Sequence, residues 1–296
     1  RSSPVLPAWP PARLYRPGCT RPSPRVCGHW RFSFPSQEAA RVADSEAGGL
    51  AFGHAPSVLW RTFCDDLYQR RFGAWLGQGR VVRVLKTDLY DESLTAGLYP
   101  LLQERGETVY GIDLLPDVVQ RAAARYPLLR AQVADVRQLP FPDGYFELVV
   151  SNSTLDHFEK ADDLLNSLRE LYRVLGSGGL LLISLDNAAH PLVWLRRQLA
   201  LQLGSPLPLV PYYPGHTLTL SQLVGELRAC GFVVEKTGWW FHAPRVLAVQ
   251  ACSWLDNGPS GWGRWLCRLL AACESAEKLP TAAWTGHYVA ALARRI

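Results

Sequence analysis

Two acidic residues follow apolar segments at positions where a carboxylate can bind a nucleoside. Asp113 ends the stretch Val109-Tyr-Gly-Ile-Asp113, and Asp135 follows the apolar segment 129–133. If these segments are strands, the first carboxylate can accept hydrogen bonds from both hydroxyls of an adenosine ribose. The second can accept a hydrogen bond from an adenine amino group. Asp113 would otherwise cap the next helix and Asp135 would be an ordinary loop acid, so these residues alone leave both interpretations open.

A polar cluster follows a further apolar segment, within the stretch 149–158. It contains Ser151, Asn152 and His157, which are badly suited to core packing and well suited to line a cleft. His157 is a candidate general base, because an imidazole titrates near neutral pH. A packed or helix-capping histidine is an equally good interpretation of the same residue.

The stretch Val84-Leu-Lys-Thr-Asp-Leu-Tyr-Asp-Glu-Ser93 is rich in charge and poor in glycine. Its nearest following glycine is Gly97. Glycines let a backbone approach a ligand closely, so this loop should stand farther from a ligand or bind it through side chains. Asp88, Asp91 and Glu92 supply negative charge that suits a cationic ligand group. Alternatively, Asp91 or Ser93 only caps the following helix.

Aromatic residues and histidines collect in two later segments, which we expect to shape the pocket of a second substrate. Tyr212, Tyr213 and His216 lie in the turn-rich stretch 211–216, and His242 lies in the aromatic stretch 239–245. His216 and His242 join His157 as candidate bases for a hydroxyl group. Core packing is the alternative for each aromatic residue, and it is the better prediction for most of the eleven Trp.

Short apolar segments alternate with amphipathic ones, which predicts an α/β protein with a parallel, doubly wound sheet. Ligands of such sheets bind outside the carboxyl ends of the strands. Strands are predicted at 81–85, 109–112, 129–133, 146–150, 180–185, 232–239 and 287–293. Helices are predicted at 57–76, 94–105, 116–126, 161–175 and 221–230, with Gly106 as the C-cap of the second. The segment 192–203 is predicted to be a lid helix, with a membrane-surface helix as the alternative.

Composition and charge narrow the class of protein. Hydrophobic residues make up 48% and charged residues 19% of the 296 positions, as in globular proteins. The net charge of +5 is carried by the first 40 residues, so the rest is not broadly basic and a nucleic-acid partner is not expected. Seven Cys without a CxxC pair favour a reducing cytoplasm, and scattered His predict no metal site. The longest apolar run, 179–185, is too short for a transmembrane segment.

The chain is predicted to consist of a tail and one domain. Residues 1–35 hold eight Pro and several Arg without periodicity, which predicts a disordered or loosely attached tail. Residues 36–296 form the domain, with lid segments at about 190–216 and 240–284. Residues 80–187 contain the five predicted strands that alternate with helices.

This part of the sequence resembles the class I S-adenosylmethionine-dependent methyltransferases of the methyltransferase type 11 family. Four stretches carry the resemblance: 109–113, 134–146, 148–158 and 168–179. It implies a Rossmann-like sheet in which 232–239 and 287–293 form a C-terminal antiparallel hairpin. It also implies S-adenosylmethionine as cofactor and a small, apolar or aromatic methyl acceptor. A nicotinamide cofactor is disfavoured because G-x-G-x-x-G is absent after the first strand.

The resemblance also implies which residues bind the cofactor. They lie after the first four strands: Lys86, Thr87, Asp88, Asp113, Leu114, Ala134, Asp135, Val136, Ser151 and Asn152. His157, His216 and His242 are the catalytic candidates, and Tyr212 and Tyr213 the substrate-binding ones. The family's first motif is an acid followed by alternating glycines, and the stretch 84–93 departs from it. The departure keeps a second hypothesis open, in which the domain is a non-catalytic binding or partner module that no longer binds the methyl donor S-adenosylmethionine.

Overall fold

A seven-stranded sheet forms the centre of the protein. The computed structural model describes residues 57–203, 215–256 and 260–296. The strands are β1 (Val81–Lys86), β2 (Gly106–Asp113), β3 (Arg130–Val133), β4 (Phe146–Asn152), β5 (Leu175–Asp186), β6 (Phe232–Trp240) and β7 (Tyr288–Arg295). Their order across the sheet is β3-β2-β1-β4-β5-β7-β6.

The pairing directions confirm the predicted fold class. The strands β1 to β5 pair in parallel, and β7 pairs antiparallel with both β5 and β6. The chain order reverses at β1, since β2 and β3 lie on one side and β4 and β5 on the other. Such a reversal opens a crevice at the carboxyl ends of the strands, where ligands bind in open α/β sheets.

Helices cover both faces of the sheet. They are α1 (Val58–Leu76), α2 (Tyr90–Leu94), α3 (Tyr99–Arg105), α4 (Pro116–Arg125), α5 (Ala161–Val174), α6 (Pro191–Leu203), α7 (Leu220–Ala229), α8 (Arg245–Leu255), α9 (Ser260–Cys273) and α10 (Ala282–Thr285). Short 3-10 turns occupy Leu155–His157 and Glu274–Lys278. None of the helices in the described ranges is long and apolar enough to span a membrane.

Two apolar cores lie on opposite faces of the sheet. One joins α1, α8 and α9 through aromatic residues such as Phe72, which lies 5.2 Å from Trp240 between ring centroids. The other joins α5 and α7 and includes Leu168 and Leu223, both fully buried. Local signals fix the helix starts, since Ser57 caps α1 and Thr219 and Gln222 form a capping box on α7.

The predicted helix 94–105 is wrong, because two shorter helices replace it. The break between α2 and α3 contains Gly97 at φ +56°, and Asp65 accepts a hydrogen bond from its backbone N–H at 3.1 Å. The Glu92 carboxylate accepts the N–H of Leu98 at 2.8 Å. Gly106 is the C-cap of α3, as predicted, with an extended backbone, and it is also the first residue of β2.

The last two strands pair as predicted but are not joined by a tight turn. The connection between β6 and β7 contains α8, α9 and α10. The expectation that most Trp residues are core is also wrong for the described part of the chain. Five Trp side chains there are more than half exposed: Trp194, Trp254, Trp262, Trp265 and Trp284.

Candidate functional site

The carboxyl ends of β1, β2 and β4 lie side by side in the sheet. Lys86 of β1 pairs with Gly111 of β2 on one side and with Val150 of β4 on the other. Asp113 ends β2 and Asn152 ends β4, so the predicted cofactor residues of these strands share one edge. This arrangement follows from the parallel direction of the strands, which brings their carboxyl ends to the same edge.

Asp113 is 6% exposed and is oriented by two backbone groups. Its carboxylate accepts the N–H of Leu89 at 3.0 Å and the N–H of Leu115 at 2.9 Å, one at each oxygen. Burial raises the pKa of this carboxyl, while these N–H donors act to lower it. Each carboxylate oxygen has a second lone pair, so Asp113 can still accept a hydrogen bond from a ligand hydroxyl.

Asp135 lies next along the edge, after β3. The backbone N–H of Ala134 donates to the carbonyl of Asp113 at 3.0 Å, which ties the two acidic segments together. Asp135 is held by Arg137, whose Nη2 lies 2.7 Å from its Oδ2. Val136 is buried in the core beside them, and Leu114 is half-buried after Asp113.

The loop after Asp135 is fixed by a single guanidinium. Arg173 of α5 donates to the carbonyl of Leu139 at 3.0 Å and to that of Phe141 at 2.8 Å. Its Nε also donates to Glu170, whose carboxylate accepts the N–H of Leu139. These bonds hold the backbone of a loop whose side chains Leu139 and Phe141 are apolar and buried.

Hydroxyl groups connect the ends of β1, β4 and β5. Thr87 donates to Ser151 at 3.0 Å and lies 3.1 Å from the hydroxyl of Thr154. Ser184 of β5 donates to the side-chain oxygen of Asn152 at 2.6 Å. Thr87, Ser151 and Asn152 are buried, so this network orders the floor of the crevice.

The loop after β1 is organised by a buried ion pair. The Nζ of Lys86 lies 2.9 Å from Oε2 of Glu92, and the two side chains are 2% and 0% exposed. Burial would lower the pKa of Lys86, but the carboxylates of Glu92, Asp88 and Asp91 raise it above its ordinary value. Lys86 and Glu92 therefore neutralise each other under the loop.

Asp88 is the loop residue that remains partly exposed at the crevice. It caps the N–H of Tyr90 at 2.8 Å, and its Oδ1 lies 3.8 Å from the Nζ of Lys86. Burial raises the pKa of the Asp88 carboxyl to about 7, against the lowering effect of Lys86.

The candidate histidines lie in different surroundings. His157 ends the 3-10 turn, and the backbone N–H of His216 donates to the carbonyl of Phe158, which places both beside the end of β4. Burial and Arg197 lower the pKa of His216. His242 is engaged at both ring nitrogens, by Thr285 at 2.8 Å and by the carbonyl of Trp239 at 2.9 Å. Tyr212 and Tyr213 lie outside the described residues.

Three buried polar residues at the end of β5 were not selected from the sequence. Asp186 ends β5, Asp156 lies in the 3-10 turn after β4, and His287 precedes β7. Asp156 accepts the N–H of Asp186 at 2.7 Å, and Asp186 lies 3.5 Å from His287. Asp156 and Asp186 stand beside the stretches predicted to line the cleft, while His287 is distant in sequence and carried no signal.

Comparisons with known proteins agree with this architecture. Residues 93–183 match the model of a methyltransferase domain. The chain is 28% identical over 155 residues to a probable S-adenosylmethionine-dependent methyltransferase of Mycolicibacterium smegmatis, covering 48% of this chain and 55% of that one. It is 41% identical over 126 residues to a malonyl-[acyl-carrier protein] O-methyltransferase of Halorhodospira halophila, covering 42% and 40%. The matched part of the chain is a methyltransferase domain of the S-adenosylmethionine-dependent kind.

A solved structure supports the fold of this methyltransferase domain. It is an S-adenosylmethionine-dependent methyltransferase from Mesorhizobium loti with a TM-score of 0.54 at 16% identity, covering 79% of this chain and all of that one. At this identity the likeness concerns the fold alone. The chain spans about half the length of the curated relatives named above.

S-adenosylmethionine is the cofactor of this methyltransferase family, and the described residues fit its adenosine half. Asp113 and Asp135 place acceptor oxygens at neighbouring strand ends, as ribose hydroxyls and an adenine amino group require. The stretch where the family has its acid and glycines differs here, because it contains Lys86, Asp88 and Glu92. Only Asp88 of these three has a partly exposed side chain.

Proposed function

We propose that this chain transfers a methyl group from S-adenosylmethionine to a small molecule. The observation that carries the proposal is the edge shared by Asp113 and Asp135 with the hydroxyl network of Thr87 and Ser151. When bound, the cofactor supplies an electrophilic methyl group on a sulfonium. The protein then has to hold the acceptor atom in line with that methyl group and to exclude water.

Each predicted cofactor residue has a role in this proposal. Asp113 accepts hydrogen bonds from the ribose hydroxyls, and Leu114 covers the ribose. Asp135 accepts a hydrogen bond from the adenine amino group, and its neighbours Ala134 and Val136 flank the adenine. Ser151 and Asn152 line the floor with Thr87. Asp88 lies near the positive charge of the methionine half, while Lys86 holds the loop through Glu92 rather than touching the cofactor.

An apolar or aromatic acceptor is supported by an aromatic cluster near the end of β5. Tyr288 pairs with Asp186 across the strands β5 and β7. The Tyr288 ring centroid lies 5.4 Å from that of Phe241 and 6.0 Å from that of Tyr68. All three rings are buried in the core, so they form an apolar backing at this end of β5. Of the candidate bases, His157 and His216 lie next to the strand ends.

A second candidate function is a non-catalytic module that has lost the donor. The buried Lys86–Glu92 pair favours it, because it replaces the acid and the glycines of the family's first motif with side chains. Under this hypothesis the crevice still exists but does not bind S-adenosylmethionine.

Calorimetric titration with S-adenosylmethionine and with S-adenosylhomocysteine separates the two functions. We expect binding of both to the unaltered chain and an affinity at least tenfold lower in Asp113→Asn, because one charge-assisted hydrogen bond contributes about 1.5–3 kcal/mol. Asp117→Asn is the matched control, since it removes an exposed carboxylate from the first turn of α4. No binding to the folded, unaltered chain would favour the non-catalytic module. Equal affinity in Asp113→Asn would refute the ribose role.

A further inference from the structure

Three buried polar residues at the ends of β5 and β7 form a second cluster beside the proposed donor edge. We call Asp156, Asp186 and His287 the β5-end cluster. Their exposed fractions are 3%, 6% and 1%. Polar side chains this deeply buried are normally hydrogen-bonded, since leaving one without a partner costs about 1–3 kcal/mol or more.

Each member of the β5-end cluster has an unsatisfied atom. Oδ1 of Asp156, Oδ1 of Asp186 and Nδ1 of His287 have no hydrogen-bond partner within the described ranges. The other oxygen of Asp156 is used structurally, because it accepts the N–H of Asp186 at 2.7 Å and the hydroxyl of Ser153 at 3.1 Å. Two carboxylates therefore lie close together with unused acceptor capacity.

The histidine does not satisfy the carboxylates. Nε2 of His287 lies 3.5 Å from Oδ1 of Asp186, which is beyond a good hydrogen bond, and it lies 3.0 Å from a guanidinium nitrogen of Arg245. Burial, together with Arg245, His190 and Arg196, lowers the pKa of His287 well below its ordinary value. Because the His287 imidazole beside Arg245 is neutral, it supplies no positive charge to Asp186.

The electrostatic surroundings of Asp186 come from four elements. The groups that face it are Asp156 and His157 of the 3-10 turn, Arg245 of α8, Arg196 of α6 and His287. Burial, and next the charge of Asp156, raise the pKa of Asp186 to about 7, although Arg245 and His157 lower it. The arginines thus do not neutralise this carboxyl fully.

Hydrogen bonds connect the β5-end cluster to the end of β4, and partly exposed residues lie next to it. Ser184 of β5 bonds Asn152 of β4, and the N–H of Ser153 donates to the carbonyl of Ser184 at 2.9 Å. Ser153, His157 and His190, which lie next to members of the cluster, are half-buried. This position lies on the β4–β5 side of the edge, opposite to Asp113.

We propose that the β5-end cluster binds the methyl acceptor and that this acceptor is an amine. The inference rests on the proposed function and specifies its substrate class. A protonated amine offers a positive charge and two or more N–H donors, which is what two neighbouring carboxylates with unused oxygens require. A carboxylate acceptor would be repelled, and a purely apolar molecule would leave both oxygens unsatisfied.

Asp186 also accepts a proton in this proposal. The bound ammonium transfers one N–H proton to the Asp186 carboxylate, which leaves a neutral amine with a free lone pair and a protonated Asp186. The nitrogen is then the nucleophile toward the methyl group that the cofactor supplies. A carboxyl that changes charge near neutral pH suits this transfer, and Asp156 and His287 position the amine.

Binding of simple amines to the donor-free protein tests the inference. The probes are 2-phenylethylamine, benzylamine and ethylamine, with 2-phenylethanol and phenylacetate as neutral and anionic counterparts of the first. We expect 2-phenylethylamine to bind by calorimetry, phenylacetate not to bind, and Asp186→Asn to weaken amine binding at least tenfold. Asp162→Asn, an exposed acid at the start of α5, should leave it unchanged.

The outcomes separate this inference from the proposed function. If none of the three amines binds, or if Asp186→Asn binds them as well as the unaltered chain, the amine site is refuted. Tighter binding of 2-phenylethanol than of the amine would refute it in favour of a hydroxyl acceptor. Because S-adenosylmethionine is absent from this titration, loss of donor binding leaves its result intact. His287→Gln provides a second variant if Asp186→Asn does not fold.

Discussion

Replacing Lys86 by Met tests whether the buried ion pair holds the loop after β1. The substitution keeps the length of the side chain and removes the charge that faces Glu92 at 2.9 Å. Glu92 stays fully buried and retains one backbone donor, the N–H of Leu98. Removing one partner of a buried pair typically destabilises a protein by about 3–5 kcal/mol, because the remaining charge is uncompensated. For a domain of this size that corresponds to a fall in melting temperature of about 6–20 °C.

The loss should depend on pH in a defined direction. Burial already raises the pKa of Glu92, and Lys86 is the main group that opposes this rise. Without Lys86 the folded-state pKa of Glu92 lies further above its unfolded value, so the variant loses stability as pH rises from about 4.5 through that raised pKa. We therefore expect a larger difference from the unaltered chain at pH 8 than at pH 5.

Urea unfolding at both pH values measures these differences. The double variant Lys86→Met/Glu92→Gln removes both charges and should recover at least half of the stability lost at pH 8. Lys160→Met, at an exposed position before α5, controls for the substitution itself and should change stability by less than about 0.5 kcal/mol. If Lys86→Met unfolds within about 1 kcal/mol of the unaltered chain at pH 8, the ion pair does not hold the loop.

Three further changes probe the site. Gly97→Ala should destabilise the domain by about 1–3 kcal/mol in thermal melts, since its φ is +56° and a Cβ would lie 2.5 Å from Oε1 of Glu92; a neutral result would contradict this packing. Arg173→Ala should loosen the loop at 139–143 and weaken S-adenosylmethionine binding by calorimetry, and unchanged amide exchange there would argue against it. Asp186→Asn should gain stability over the unaltered chain as pH rises from about 4 to above 7, by as much as about 4 kcal/mol, because a folded pKa of about 7 makes ionisation of this carboxyl destabilising. A pH-independent difference in urea unfolding would refute that charge cost.

The fold could be predicted because its signals are local and repeated. Apolar strands and amphipathic helices alternate from β1 to β5. This alternation alone predicts a parallel sheet that binds ligands at the carboxyl ends of its strands. Asp113, Asp135 and Ser151 follow their strands directly in sequence, so the strand assignment also placed them at this edge. The helix 94–105 was wrong because its apolar spacing continues through Gly97, while the backbone there is fixed by Asp65 and Glu92 from other turns.

The chemistry of the loop after β1 could not be predicted from the same signals. A sequence shows that Lys86, Asp88 and Glu92 are charged, but not which of them turn inward. The structure pairs Lys86 with Glu92 beneath the loop and leaves Asp88 at the crevice. His287 was missed for a related reason, since it meets Asp186 only because β7 inserts between β5 and β6.

The two groups of buried charged residues in this domain differ in whether each charge has an opposite charge close to it. Lys86 Nζ and Glu92 Oε2 are 2.9 Å apart, so each of these charges has a close opposite charge within the folded protein. Asp186 and Asp156 instead lie together with an unsatisfied oxygen on each, and burial together with the charge of Asp156 raises the pKa of Asp186. Such a pair lowers the stability of the free domain, and a ligand that brings a positive charge and N–H donors removes that penalty on binding. We therefore expect Asp186→Asn to be more stable than the unaltered chain and also to bind amines more weakly. If this variant gained stability but still bound amines, the argument would be refuted.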